Sequence, residues 1–142
     1  MTLLYPYVRA GEEQFPRPLV EVIVAGETSW ATLLALLDTG AELVVIHDSV
    51  ARMIGAEFIP ESAGTGRTVT GEDFRYRFAA VTLELKSGEE SWRWAAKVAV
   101  TKAPLQDAIL GFAGCLQYFD AKFLGREYRV ELEWNGSYKP PT

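Results

Sequence analysis

Ala35-Leu36-Leu37-Asp38-Thr39-Gly40-Ala41 places an acidic turn between two apolar runs, Ala31 to Leu37 before it and Leu43-Val44-Val45-Ile46 after it. Both flanks read as buried strands, so the carboxylate between them is expected near the core, where a charge needs a reason. Two reasons compete. One is a hairpin turn, because Asp bonds its own backbone in tight bends and Gly supplies positive φ. The other is an active site, in which Asp38 carries the chemistry, Thr39 ties down the loop and Gly40 lets the backbone approach closely. The tripeptide alone is too common by chance to decide between them.

The neighbouring sequence delivers Asp38 on a hairpin. Leu19 to Val24 is rich in β-branched residues, Ala25-Gly26-Glu27-Thr28 reads as a turn, and Trp30 to Leu37 returns as a second strand. Beyond the acidic turn, His47-Asp48-Ser49 leads into a short helix over Val50 to Ile54, with Asp48 as its N-cap and Gly55 as its stop. His47 then reads as a surface or capping residue, with a catalytic role as the alternative. From Phe58 to Tyr76 the chain turns small, polar and glycine-bearing, with Gly64-Thr65-Gly66 and Thr70-Gly71 as turn candidates. This segment predicts a mobile hairpin or an ordinary exposed loop.

The rest continues in strands. Phe74 to Leu85 and Trp92 to Val100 pair across a polar turn at Lys86 to Glu90, placing Trp92 and Trp94 on one face as packing residues. Asp107-Ala108-Ile109-Leu110-Gly111 is an apolar strand ending in glycine, and Phe112 to Tyr118 predicts a short apolar helix with Cys115 inside it as a buried thiol. Asp120 to Phe123 and Tyr128 to Trp134 read as two further strands joined by Leu124 to Glu127. The expected fold is mainly β with one or two short helices. Residues 1–17, with Pro6 and Pro16, read as an extended arm with little regular structure; 18–134 form the domain, and 135–142 a polar tail.

Composition narrows the function. A chain of 142 residues with 49% hydrophobic content is one domain able to bury a core. With 14 basic and 19 acidic residues and a net charge of -5, it has no basic footprint for nucleic acid. One cysteine and one histidine exclude an intrachain disulfide and the usual Cys/His zinc patterns, so no metal or cofactor is expected. Met1 to Tyr7 is too short and uncharged for a signal peptide, and no apolar run approaches a membrane span. A soluble, reducing, cytoplasmic setting is the expectation.

Taken together, Leu36 to Ala41, the glycine-bearing hairpin after it, and Ala108-Ile109-Leu110-Gly111 resemble the retropepsin-like aspartic proteases. Phe119 to Phe123 followed by a strand is similar to the bacterial single-domain members. The resemblance implies a closed or partly open β-barrel of the acid-protease type. It makes Asp38 the catalytic aspartate, has Thr39 bond across to a partner's loop, sets the Gly40 backbone beside the carboxylates, and places Ala41 on the floor of the substrate groove. Gly64, Thr65, Gly66 and Gly71 would belong to a flap, and Ile109, Leu110 and Gly111 would form the second motif. Viral members follow that second glycine with an arginine that braces an acidic residue; here Phe112 follows Gly111, and Glu42 lacks that partner.

Peptide hydrolysis of this kind needs two carboxylates sharing one proton, and the chain supplies one such turn. A homodimer acting on an extended polypeptide is therefore expected. The alternatives are a peptide-binding module that keeps the fold but cleaves little, and a β-barrel in which Asp38 is only a turn residue.

Overall fold

The computed structural model describes residues 2–9, 11–12, 15–67 and 71–140. Strand β1 spans Thr2–Pro6, β2 Leu19–Ala25, β3 Trp30–Leu37 and β4 Val45–His47, followed by helix α1 at Asp48–Ile54. Then come β5 (Glu57–Phe58), β6 (Gly64–Arg67), β7 (Asp73–Ser87), β8 (Glu90–Thr101) and β9 (Ala108–Leu110). A 3-10 turn at Leu116–Tyr118 leads to β10 (Phe119–Leu124), and a second at Gly125–Glu127 leads to β11 (Arg129–Trp134).

Six strands close on themselves. The order β2-β3-β9-β4-β8-β7 returns to its start because β2 also pairs with β7, Val22 opposite Leu85 and Ala25 opposite Thr82. This is the mainly β barrel expected from the sequence, with one α-helix. Alternation builds its core: Ala79, Val81, Leu83 and Leu85 of β7 are buried together with Trp94, Val98 and Val100 of β8, while Ala80 of β7 and Ala95 and Lys97 of β8 are exposed; at the end of β8 the alternation stops, and Ala99 and Thr101 are buried as well. Trp92 and Trp94 are packing residues, as expected. Trp94 is 2% exposed, and Trp92 stacks on Trp134 with ring centroids 4.7 Å apart.

The helix is locked to the β2–β3 turn. Thr28 N–H and Ser29 N–H both donate to Ile54 O at 3.2 Å, closing a helix end that lacks partners of its own. Gly55 stops the helix in the left-handed conformation at φ 68°, as expected. The N-cap is a correction. His47, not Asp48, sits in the extended capping position, and its Nδ1 accepts from Ser49 N–H; Asp48 lies inside the first turn and pairs with Arg52 at 2.7 Å. His47 thus has the local capping explanation.

Two other expectations change. The arm is extended, but it is not without regular structure, because Thr2–Pro6 pairs antiparallel with β11, Leu3 opposite Leu132 and Tyr5 opposite Val130. With β10 on the far side of β11 this makes a separate three-stranded sheet, β1-β11-β10. The helix over Phe112 to Tyr118 does not form. Gly114 adopts φ 97°, which no helix accommodates, and only Leu116–Tyr118 closes a 3-10 turn. Cys115 precedes that turn and is fully buried, with a thiol that burial pushes up to about 12. A ring cluster of Trp94, Tyr118, Phe119 and Trp134 joins the terminal sheet to the barrel. The tail is pinned by Asn135 N–H donating to Tyr118 O and by Tyr138 Oη accepting from Ala95 N–H.

Candidate active site

Asp38 follows directly on β3, the strand that the barrel holds between β2 and β9. On one side Leu37 N–H donates to Pro18 O at 3.0 Å; on the other Asp38 N–H donates to Leu110 O at 3.1 Å. The parallel pairing of β3 with β9, Leu36 opposite Ile109 and Leu37 opposite Leu110, brings the two sequence motifs side by side. Asp38 is half-buried. Its Oδ1 accepts from Gly40 N–H at 2.9 Å, which orients the carboxylate and leaves Oδ2 without a hydrogen bond among the described residues.

The loop then folds back. Ala41 N–H donates to Asp38 O, Phe112 N–H donates to Ala41 O at 3.0 Å, and Ala113 N–H donates to Glu42 O at 2.8 Å. Gly111 makes this zip possible. A Cβ there would run into Leu43 O and would lie 2.7 Å from Ala41 O, so any side chain would push the two loop segments apart. Gly40 has no such crowding, since a Cβ would meet only Asp38 Oδ1 at 3.4 Å, and its φ is not positive. Its contribution is the N–H on the carboxylate, not the left-handed bend that a hairpin-turn reading requires. Thr39 is exposed and its hydroxyl has no hydrogen-bond partner among the described residues.

The structure separates the residues of the glycine-bearing segment by role. Gly64, Thr65 and Gly66 lie in β6, paired with Tyr76, Arg75 and Phe74 of β7, so this stretch is a strand and not a turn. Its glycines are explained by the opposite strand. A Cβ on Gly64 would lie 2.6 Å from the Tyr76 ring, and one on Gly66 2.5 Å from the Phe74 ring; the two rings lie across the bare backbone. Gly71, at φ 86°, sits at the end of the hairpin, with Thr70 outside the described residues.

A family model described as aspartyl protease matches residues 20–113, which spans both Asp38 and Gly111. The chain belongs to the aspartyl protease family. No curated protein sequence matches it. Among solved structures, this aspartyl protease is similar to a retropepsin-like aspartic protease from Rickettsia conorii, with 15% identity over 93% of this chain and 90% of that one and a TM-score of 0.53. EIAV protease in complex with the inhibitor HBY-793 is 21% identical over 73% of this chain and 88% of its own, with a TM-score of 0.49. Simian foamy virus (mac) protease is 15% identical over 66% and 87%, with a TM-score of 0.41. The family match and the Rickettsia likeness agree on a retropepsin-like fold.

Within this aspartyl protease the missing arginine has a visible consequence. Phe112 is 60% exposed, while Glu42 is exposed and forms no ion pair among the described residues. Bracing comes from elsewhere. Arg17 pairs with Asp107 at 3.2 Å, tying the segment that carries Pro18 O to the start of β9. Nothing in the sequence marks a role for Arg17 or Pro18, and Asp107 reads only as the opening of an apolar strand; the available signal is that Pro18 and Asp107 each directly precede such a strand.

Proposed function

We propose that the chain is an aspartic endopeptidase active as a homodimer, cleaving extended polypeptides by water attack between two Asp38 carboxylates. The observation that supports this reading best is the held carboxylate: Asp38 takes the Gly40 N–H on Oδ1 while its own N–H is fixed by Leu110 O. A carboxylate oriented this way is preorganised for proton transfer at its open oxygen. With a second copy across a two-fold axis, the ionised Asp38 takes a proton as water attacks the scissile carbonyl, and the protonated one donates to the developing oxyanion. The Thr39 hydroxyl, without a partner among the described residues, is available to bond across the axis. Ala41 serves the groove floor, the β6–β7 hairpin with Gly64, Thr65, Gly66 and Gly71 serves as the flap, and Ile109, Leu110 and Gly111 back the catalytic loop. A reducing, cytoplasmic setting belongs to the same reading, in keeping with the free buried Cys115.

Cleavage of a peptide library from about pH 3 to pH 7, the range of a coupled carboxylate pair, tests this. Wild type is expected to cleave, with an acidic to mildly acidic optimum and inhibition by a statine-type compound; Asp38→Asn is expected to fold and cleave nothing. A folded dimeric wild type that binds peptides without cutting them would favour the binding-module reading, for which the unbraced Glu42 is the supporting observation.

A further inference from the structure

On the flank of the barrel a cleft of about 450 Å³ opens between β7 and β8, the segment that follows Gly111, and the tail. Its apolar wall includes Phe78 and Ala80 of β7, Ala96 of β8, and Leu43 and Ala113, which form a bridge behind the Asp38 loop. That volume falls within the range of small-molecule sites, where a few convergent polar groups on apolar walls decide what is bound. Neither Asp38, Thr39 and Gly40 nor Gly64, Thr65, Gly66 and Gly71 line it, so the cleft is separate from the site described above.

Every polar side chain in its wall has a proton to donate. Gln117 Oε1 accepts from Gly114 N–H at 2.8 Å, which fixes the amide and leaves its NH2 without an acceptor among the described residues. Tyr138 Oη accepts from Ala95 N–H at 3.1 Å and keeps its own O–H to give. Tyr118 packs edge-on against Tyr138, with ring centroids 5.1 Å apart, and its hydroxyl has no partner among the described residues. Lys97 Nζ stands 4.2 Å from the centroid of the Phe78 ring, and Lys139 is exposed on the tail; neither pairs with an acid among the described residues. The chain has 19 acidic residues, yet none lines this cleft. Ammonium, amide and hydroxyl donors thus surround an apolar hollow that holds no carboxylate to answer them.

We propose that the cleft is a binding site for a small anionic amphiphile, a carboxylate carried on an unbranched apolar chain. The chain lies on Phe78, Ala80 and Ala96, where apolar area leaves water. The carboxylate draws on the charges of Lys97 and Lys139 and on the unspent donors of Gln117 and Tyr138. A small molecule suits the cleft better than a peptide strand. A strand would add to the edge of β8, but Ala95 N–H is already taken by Tyr138, and Gly114 lies so close to Lys97 O that a Cβ on it would be 3.3 Å away.

Proton–nitrogen correlation spectra of the labelled full chain, titrated with octanoate, test this, with octanol, octylammonium and a glutamate-rich peptide as comparison ligands. The shifts are expected to cluster on Ala95 to Lys97 and Ala113 to Gln117, and octanoate is expected to bind about tenfold or more tighter than octanol or octylammonium. The double variant Lys97→Glu, Lys139→Glu reverses the charge at the cleft and is expected to weaken octanoate about tenfold or more. Ala80→Phe fills the floor while keeping both lysines, and is expected to abolish binding; circular dichroism confirms that each variant folds. Asp38→Asn is expected to bind octanoate as wild type does, so the outcome is independent of peptide cleavage. The proposal is overturned if octanoate shifts nothing at the cleft or shifts only Asp38, Thr39, Gly40 and Gly71. Octanol or octylammonium binding as tightly as octanoate, or both cleft variants binding like wild type, overturns it equally. Tighter binding of the acidic peptide at the same residues makes the occupant a polypeptide and removes the small amphiphile.

Discussion

Replacing Gly111 by alanine adds one methyl group at the point where two backbone segments meet. The new Cβ would collide with Leu43 O and stand 2.7 Å from Ala41 O, and neither is the far end of a flexible side chain. Relief requires the Asp38 loop and the β9 end to separate. Overpacking of this kind costs about 1–3 kcal/mol. Separation also strains the Phe112 N–H bond to Ala41 O, adding about 1 kcal/mol and giving roughly 2–4 kcal/mol in all. For a domain of this size, at about 3 °C per kcal/mol, the melting temperature falls by roughly 6–12 °C. Scanning calorimetry at one fixed protein concentration measures this, so that any concentration dependence of the transition cancels between variants. Gly125→Ala is the control, since a Cβ there meets nothing within 4 Å and its φ is not positive. If the Gly111 and Gly125 variants melt within about 1 °C of each other, the clamp is not what holds the loop, and the account of Gly111 fails.

Trp94→Phe removes the indole N–H that donates to Gly114 O at 2.7 Å in a buried setting. The stranded carbonyl is expected to cost about 1–3 kcal/mol, read from the midpoint of urea unfolding. Alkaline stability follows from Cys115, whose thiol burial pushes up to about 12 from an ordinary 9.0. The unfolded chain releases that proton first, so the stability is fully present below about pH 9 and is lost as pH rises toward 12. Melting temperature measured across that range is expected to fall more steeply for wild type than for Cys115→Ala. A residual slope remains in the variant from Tyr5, whose hydroxyl burial also shifts upward.

The elements legible in the sequence are those whose signal is local. The hairpin from Leu19 to Leu37 announces itself by β-branched residues and a glycine turn, and Asp38 by its place between two apolar runs. Pairing of the Asp38 loop with Ile109-Leu110-Gly111 was legible only through resemblance, because parallel neighbours so far apart leave no local trace. Strand β1 was missed for a similar reason. Its alternation, with Leu3 and Tyr5 buried and Thr2, Leu4 and Pro6 exposed, is blurred by an outward leucine, and its partner β11 lies at the other end of the chain. Gly64 and Gly66 looked like turn residues because nothing near them in sequence shows that the rings of Tyr76 and Phe74 take the place of their side chains. At Phe112 to Tyr118 the apolar composition spoke for a helix and Gly114 against it. The glycine decides, because the Gly114 carbonyl is claimed by Trp94.

The single hydroxyl of Ser87 bonds both the N–H and the carbonyl of Leu4, so β7 fills the backbone pair at the middle of the outer edge of β1. An exposed strand edge is a template on which another chain can pair, and a bond made across it from within the fold removes one place for such pairing. One serine at the end of a barrel strand thus guards the chain against edge-to-edge association along β1.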